Sequence, residues 1–479
     1  MPQTAGEAIN APVDSAHGGR TDHEAMLHRG LGVGSIVFMV VAAAAPLGVV
    51  AANLPIVIAV SGNIGAPAYF VIATIILALF SVGFTLMSRY VPNAGAFYAY
   101  VQAGLGRIPG VGAATLALGS YVVLLIGVDA YAGVAVANAL EHYTGALTPW
   151  WVWSVAILAL VGLLGYRDIE LSSKVLGVLL VAETLIVVVL DVGIIAHGGH
   201  GGLSLEPFAP SAISTGAPGL GIMFALFGFF GFEATAVFRN EARDPDKTIP
   251  RSTYIAVVSI GVFYAFSAWA VIVGAGIGNA VNSAATKPET MVFDLAARYV
   301  GPIAQDVMQL LLVTSILACI LSFHNVITRY QFTLGGAGVL PRSLGQVSPK
   351  HRAPSRSSLM VTVVSLVLIG VVALTRIDPV RQAYTWLSGA ATLGIVALMA
   401  LTCLSVVVFF RRTSHERGLW KTVVAPGLGL IGLLAVLVMV IENLPLLIGN
   451  LTAAIVVALL VAVAFVAGTV VALVTRGVR

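Results

Sequence analysis

Five carboxylates stand inside long apolar runs of this chain: Asp129, Glu183, Asp191, Glu233 and Asp306. An acid in lipid surroundings is costly, so each calls for a reason. Three uses are chemically open: exchanging a proton, binding an ammonium group, or holding helices together as a neutral hydrogen-bonded acid. Glu183 lies in the middle of the apolar run 179–185, where a carboxyl that gains and loses a proton can couple proton entry to another event. The structural alternative there is an acid that only ties helices together. Glu233 follows Gly231-Phe232, a pair that suggests a tight turn. It can bind an ammonium, take a proton, or hydrogen-bond an unwound segment of the first apolar run. Asp129, beside Gly127 and Tyr131, either lines a cavity or bonds within the bundle. Asp191 and Asp306 fall near the ends of their runs and are expected to reach interfacial water.

Other chemistries find less support. His324 and Asn325 read as packed polar residues, since no histidine, cysteine or acidic cluster has metal-ligand spacing. Cys319 and Cys403 each sit in an apolar run, which argues against a disulfide framework or thiolate site. No glycine-rich phosphate loop ends in Lys-Ser or Lys-Thr, so an ATP-driven engine is absent. Short connections offer no scaffold for a nucleophile and its base, and the chain does not read as an enzyme. No metal, cofactor or nucleic acid is expected.

The elements that position these groups follow from composition. Hydrophobic residues make up 58% of the 479 and charged residues 10%, with a mean hydropathy of +0.98. A soluble surface needs charge on roughly 25% of residues. Lipid is the remaining solvent, and helices of about 20 apolar residues satisfy their own backbone within it. Twelve spans are expected, at about 33–58, 66–90, 111–139, 148–165, 172–196, 217–238, 252–278, 301–332, 357–375, 382–410, 421–441 and 447–474. Residues 1–30 read as a disordered cytoplasmic tail, with no apolar core and cleavage site of a signal peptide. Under that layout Lys287, Arg298, Arg376 and Arg381 fall on one side of the membrane and the other 21 of the 25 basic residues on the side of the N-terminus. Basic residues concentrate in the cytoplasm. The sorting therefore predicts an even number of spans in the cell membrane, with both termini inside.

Two spans carry interruptions at mid-depth. The first contains Ala44-Ala45-Pro46-Leu47-Gly48, and the sixth contains Phe227-Gly228-Phe229-Phe230-Gly231-Phe232-Glu233. Proline removes a helical donor and glycine tolerates unwinding. Small residues and prolines also serve ordinary close packing in membranes. Interruptions at matching positions, five spans apart, point instead to a site between two inverted repeats. The four phenylalanines at the second break are candidates to close over a ligand. Consecutive helical positions diverge by about 100°, so not all four can face it.

Three stretches resemble a known family. Ser88 through Tyr100, containing Pro92-Asn93-Ala94-Gly95-Ala96-Phe97-Tyr98-Ala99-Tyr100, is similar to the P-x-A-G-G-x-Y-x-Y segment of the amino acid–polyamine–organocation permeases. Gly231-Phe232-Glu233-Ala234, continuing through Asn240-Glu241-Ala242-Arg243 to Ile249-Pro250-Arg251, resembles that family's G-F-E-x … A-E-E-x-x-x-P-x-R-x-I-P-R stretch. Asn325 through Arg329, then Gly338-Val339-Leu340-Pro341 and Pro354, matches its N-x-x-x-R … G-x-L-P … P run. The resemblance implies a leucine-transporter-like, all-α membrane fold with two inverted five-helix repeats and two further helices. It divides the chain into a tail (1–30), a transport core (31–410, with helices 1–5 over about 33–196 and 6–10 over about 217–410) and a C-terminal pair (411–479).

The resemblance also implies a substrate site at Ala44, Ala45, Leu47, Gly48, Phe227, Gly228, Phe230 and Gly231, with Phe227 at the position of an aromatic gate. Members that carry α-amino acids have G-S-G or G-A-G in helix 1, whose N–H groups hold the carboxylate. Ala44-Ala45-Pro46 stands there instead, and Pro46 has no N–H. That leaves room for an amine or polyamine, or for a carboxylate held around Leu47 and Gly48. Aligning the family's S-A-K-V segment with Ser172-Ser173-Lys174-Val175 puts Glu183 where some proton-coupled members have a sodium-mimicking lysine.

The expectation is a secondary active transporter for an amino acid or related amine, working by alternating access and driven by protons, with Glu183, Glu233 and Asp129 as ion-coupling candidates. An amine- or polyamine-specific importer or exchanger is the alternative. The partners expected are a small-molecule substrate, H+ and the bilayer, with the protein a monomer or homodimer. A channel would need a continuous polar lining, and a receptor would need an output domain; neither is visible.

Overall fold

The structure is a computed structural model, which describes residues 31–91, 96–167, 173–233, 235, 242–348, 353–413 and 418–474. The expected tail, Pro92–Gly95, Ser172, Ala234, Asn240, Glu241 and the final five residues lie outside the described residues. Among the described residues the fold is all-helical. No strand forms, and a single parallel bridge joins Leu31 to Ala242.

Among the described residues, ten helices are long and apolar enough to cross a membrane. In chain order, with two shorter apolar helices between them, they are α1 (Val33–Ser61), α2 (Ala66–Met87), α3 (Arg107–Thr144), the shorter α4 (Trp150–Tyr166), α5 (Ser173–Ala196), the shorter α6 (Pro218–Phe227), α7 (Pro245–Ala275), α8 (Pro302–Gly336), α9 (Ser355–Thr375), α10 (Pro379–Arg412), α11 (Trp420–Ile448) and α12 (Leu451–Val474). The third span begins at Arg107 rather than near 111, and the seventh at Pro245 rather than near 252. Pro245 and Pro302 open their helices in the first turn, where the missing N–H costs nothing.

Two connections hold more structure than expected. Helix Ala96–Leu105 precedes α3, with Tyr98 and Tyr100 buried. Its apolar residues fall at helical spacing, but the motif there reads as a link between spans. The segment between α7 and α8 carries helices Ala280–Thr286 and Met291–Tyr299. In the second of these Met291, Val292, Leu295, Ala296 and Tyr299 are buried at the i, i+3, i+4 spacing of a surface helix, and Phe293 is buried beside them.

The core gathers around α3, α8 and α10, whereas α12 and α9 present wide apolar faces outward. Leu459, Leu460, Val463, Val466 and Val470 of α12 are all exposed, as suits side chains that face hydrocarbon. Its inner face is small. A Cβ at Gly468 would strike Thr115 Oγ1 and come within 2.7 Å of the Val111 carbonyl. Thr115 Oγ1 donates to the Ala464 carbonyl across the same contact at 2.7 Å. Lipid tails are as apolar as leucine, so close backbone approach and interhelical hydrogen bonds hold such a helix in place.

α1 is interrupted in its middle. Regular helix ends at Ala43, and Ala45 takes a left-handed conformation (φ 46°, ψ 69°). A residue with a Cβ rarely adopts this region, and holding it there costs of order 1–2 kcal/mol. Pro46 then starts the chain again as Pro46–Gly48, a π turn (Val49–Asn53) and Leu54–Ser61. α6 stops at Phe227, and turns follow through Glu233, with Gly231 at φ 107°. A side chain at that φ would be strained.

Candidate functional site

Around the two interruptions lies a cavity open to the centres of water-sized groups over about 50 Å3. That is room for a few waters. Ala44, Ala45, Gly48, Phe227 and Phe230, all named from sequence, line it. Leu47 is fully buried behind the wall. Gly228 packs on α1 instead, where an added Cβ would lie 3.0 Å from Val49 Cγ1. Gly231 shapes the turn and is not on the wall.

Aromatic rings close much of the space. Phe227 meets Phe230 edge-on at 5.6 Å between centroids and Tyr384 at 6.3 Å. Tyr384 in turn lies 5.1 Å from Tyr131. Phe323 completes this lining. The other two phenylalanines at the break point away: Phe229 packs on Tyr264 at 5.9 Å and Phe232 on Phe80 at 5.8 Å. The turns that follow Phe227 therefore split the four into two wall residues and two core residues.

Asn53 is the polar wall residue, among several wall residues, that sequence reading missed. Its Nδ2 donates to the Phe224 carbonyl at 2.8 Å, joining α1 to the end of α6. Its Oδ1 is buried without a hydrogen-bond partner, and the residue lines the cavity. An orphaned acceptor costs free energy unless something donates to it. The π turn Val49–Asn53 brings Val49, Ala52 and Asn53 onto the wall. A second π turn, Pro379–Tyr384, places Tyr384 there. Asp378 caps that turn, its Oδ1 accepting from Val380 N at 2.9 Å and Arg381 N at 2.7 Å. Wide turns of this kind recur at functional sites. The only available signal for Asn53 was a polar residue within the apolar run 47–60.

The break in α1 exposes backbone groups that find partners elsewhere. Tyr264 on α7 donates its hydroxyl to the Ala44 carbonyl at 3.2 Å. Val49 N returns to the Ala45 carbonyl at 3.0 Å. Because Pro46 opens the restarted segment, the donors of its first turn belong to Leu47 and Gly48.

None of the three ion-coupling candidates lies on the cavity wall. Glu183 Oε2 accepts from Ser315 Oγ of α8 at 2.8 Å. The next residue, Ile316, faces the cavity, so this carboxyl stands one layer behind it. Glu233 Oε1 accepts from Tyr121 of α3 at 2.7 Å, and Oε2 from Gly231 N at 2.9 Å. It thus braces its own turn against α3 rather than the break in α1. Asp129 stands between two wall residues, Val128 and Tyr131, but turns away from the cavity. Ser154 of α4 donates to its backbone carbonyl at 2.9 Å, and both carboxylate oxygens are buried without a partner.

Asp191 departs from expectation. It is fully buried and accepts from Ser267 Oγ at 2.7 Å, because α7 covers the α5 face that carries it. Asp306 does reach the surface, where it pairs with His142 at 3.0 Å. His324 Nε2 lies 2.9 Å from Ser358 Oγ in a buried contact between α8 and α9, a packing role. Asn325 is half-buried beside it. Among the described residues no group of three histidines, cysteines or acids is placed to hold a metal.

Comparison with known proteins gives the lineage of this arrangement. A family model described as amino acid permease matches residues 31–470. The chain belongs to the amino acid permease family. It is 24% identical over 368 residues to the low-affinity putrescine importer PlaP of Escherichia coli K12, covering 74% of this chain and 75% of that one. It is 23% identical over 396 residues to the branched-chain amino acid permease BcaP of Bacillus subtilis, covering 79% and 80%. The lysine-specific permease LysP of E. coli K12 is 25% identical over 335 residues, covering 66% and 65%. This permease is therefore a multi-pass membrane transporter, and the resemblance carried by its three motifs holds.

Proposed function

We propose that this permease is a secondary active transporter that moves an amino acid or related amine across the cell membrane by alternating access, driven by protons. One observation carries the reading. The interruptions of α1 and α6 meet at one aromatic cavity, and Asn53, which ties them together, keeps its Oδ1 free to accept from a substrate. In this reading the shorter α4 and α6 also span, giving twelve spans in two inverted repeats of five plus α11 and α12. Both termini are then cytoplasmic. Residues 31–410 form the transport core, after a tail at 1–30 and before a C-terminal pair at 411–479.

Ala44, Ala45, Gly48, Phe227 and Phe230 contact the substrate, with Leu47 contributing through its backbone, and Gly228 and Gly231 letting the sixth span unwind. Phe227 serves as the gate. Glu183 is the proton-coupling group, since it bridges α5 to Ser315 on α8 directly behind the wall. Asp129 is a second candidate, having no partner to hold it in either charge state. Glu233, with both oxygens engaged, is the least free of the three to couple an ion. Counterflow of labelled leucine, lysine and putrescine in proteoliposomes tests the proposal. Failure to exchange any amino acid or amine would end it.

A specific observation favours an amine within that class. The cavity wall is aromatic and carries an orphaned acceptor, and among its lining residues none is basic. Aromatic faces and amide oxygens attract an ammonium, whereas a carboxylate would meet neutral donors alone, the N–H groups of Leu47 and Gly48 and the hydroxyls of Tyr131 and Tyr384. A counterflow rate for putrescine or lysine above that for leucine is the expected result.

A further inference from the structure

A second cavity lies next to the first. It is formed by α3, α8 and the segment between α7 and α8, on the side assigned above to the cell exterior. It is open to the centres of water-sized groups over about 20 Å3, enough for one. Glu289, Gln309 and Asn138 supply its polar wall, and Tyr131 lines both cavities. One tyrosine ring thus separates the two spaces.

Two of these polar groups lack partners among the described residues. Glu289 has no hydrogen bond or ion pair among the described residues, although Lys287 is only two positions away. Gln309 Oε1 is buried and unpartnered. Neighbouring charges are already engaged: Thr290 Oγ1 donates to Asp294 at 3.2 Å, Asp306 holds His142, and Arg298 reaches His200 at 3.0 Å. An ammonium offers three donors and one positive charge. A carboxylate and two amide side chains around a space of one water's size match it in number and sign.

We propose that this outer cavity is a staging site for the ammonium group of a cationic substrate, held by Glu289, Gln309 and Asn138 before it passes Tyr131. The inference rests on the amine reading above for the choice of cargo. The Glu289 carboxylate raises the local concentration of cations at the mouth and excludes anions. The tyrosine ring shared by the two cavities then makes the inner site the next stop for the same group.

The test uses the full-length protein in proteoliposomes with Cys319→Ala, Cys403→Ala and a reporter, Ala135→Cys, on the cavity wall. A second reporter, Val134→Cys, serves if the first does not fold. Its reaction is followed with cationic aminoethyl and anionic sulfonatoethyl methanethiosulfonate. Relative to their rates with a free thiol, the cationic reagent should be favoured about ten-fold, as one carboxylate within a few ångströms of the thiol implies. Glu289→Gln should bring the ratio to within about two-fold of the free-thiol value. Millimolar putrescine or lysine should slow the cationic reagent when Glu289 is present and not when it is replaced.

A ratio that ignores Glu289, a reporter unreactive to both reagents, or no protection by either amine overturns the site. Glu289-dependent protection, with counterflow failing in the wild-type protein, would sink the transport reading and leave the staging site standing. Intact counterflow without protection would sink the site alone.

Discussion

Asn53→Leu separates a binding residue from a merely structural one. Leucine keeps the branched outline of asparagine between α1 and α6, though its two methyl groups are bulkier than the amide. Two polar interactions disappear. Without Nδ2 the buried Phe224 carbonyl loses its donor, which costs about 1–3 kcal/mol of stability. Without Oδ1 the cavity loses its free acceptor. A hydrogen bond to a charged donor contributes about 1.5–3 kcal/mol, so an ammonium substrate should bind about 10- to 150-fold more weakly.

Asn53→Asp distinguishes the two effects. It also deprives Phe224 of its donor, and stability should fall as it does in Asn53→Leu. It keeps an acceptor at the cavity, however, and affinity for the ammonium should be held or raised. The assay is a thermal-shift titration of purified wild type and both variants with putrescine, lysine and leucine. The unliganded midpoints report stability, and the ligand-dependent shift reports binding by mass action. If Asn53→Leu folds and binds its amine within two-fold of wild type, the reasoning from the orphaned oxygen is wrong.

Glu183→Gln keeps an acceptor for Ser315 and should leave the fold and substrate binding intact while abolishing the pH dependence of uptake. An unchanged pH profile in proteoliposomes would remove Glu183 from coupling. Tyr121→Phe strips Glu233 Oε1 of its donor at 2.7 Å and should lower stability by about 1–3 kcal/mol. An unaltered unfolding midpoint in detergent would refute a bracing role for that contact. Gly468→Ala forces a methyl onto Thr115 and the Val111 carbonyl, and overpacking of this kind costs about 1–3 kcal/mol. A variant as resistant to thermal unfolding as wild type would show that α12 has room to move away.

The sequence by itself determined the class of the protein and the region of its site. A chain with 10% charged residues has no way to cover a soluble surface, so lipid-facing helices follow from composition alone. Pro46 and the glycines around Phe227 mark the backbone as unable to stay helical there, because those effects are local to the residue. Tertiary structure decided which side chains share a space. Asn53, Tyr131, Cys319, Phe323 and Tyr384 reach the cavity through packing of α1, α3, α8 and α10, and two of them ride on π turns that leave no periodic signature. Glu183 and Glu233 looked alike as acids in apolar runs. Only the placement of Ser315, Tyr121 and the Gly231 N–H distinguishes their surroundings. A carboxylate's role in lipid depends on which donors come within about 3 Å of it, and two of these, Ser315 and Tyr121, come from helices more than a hundred residues away.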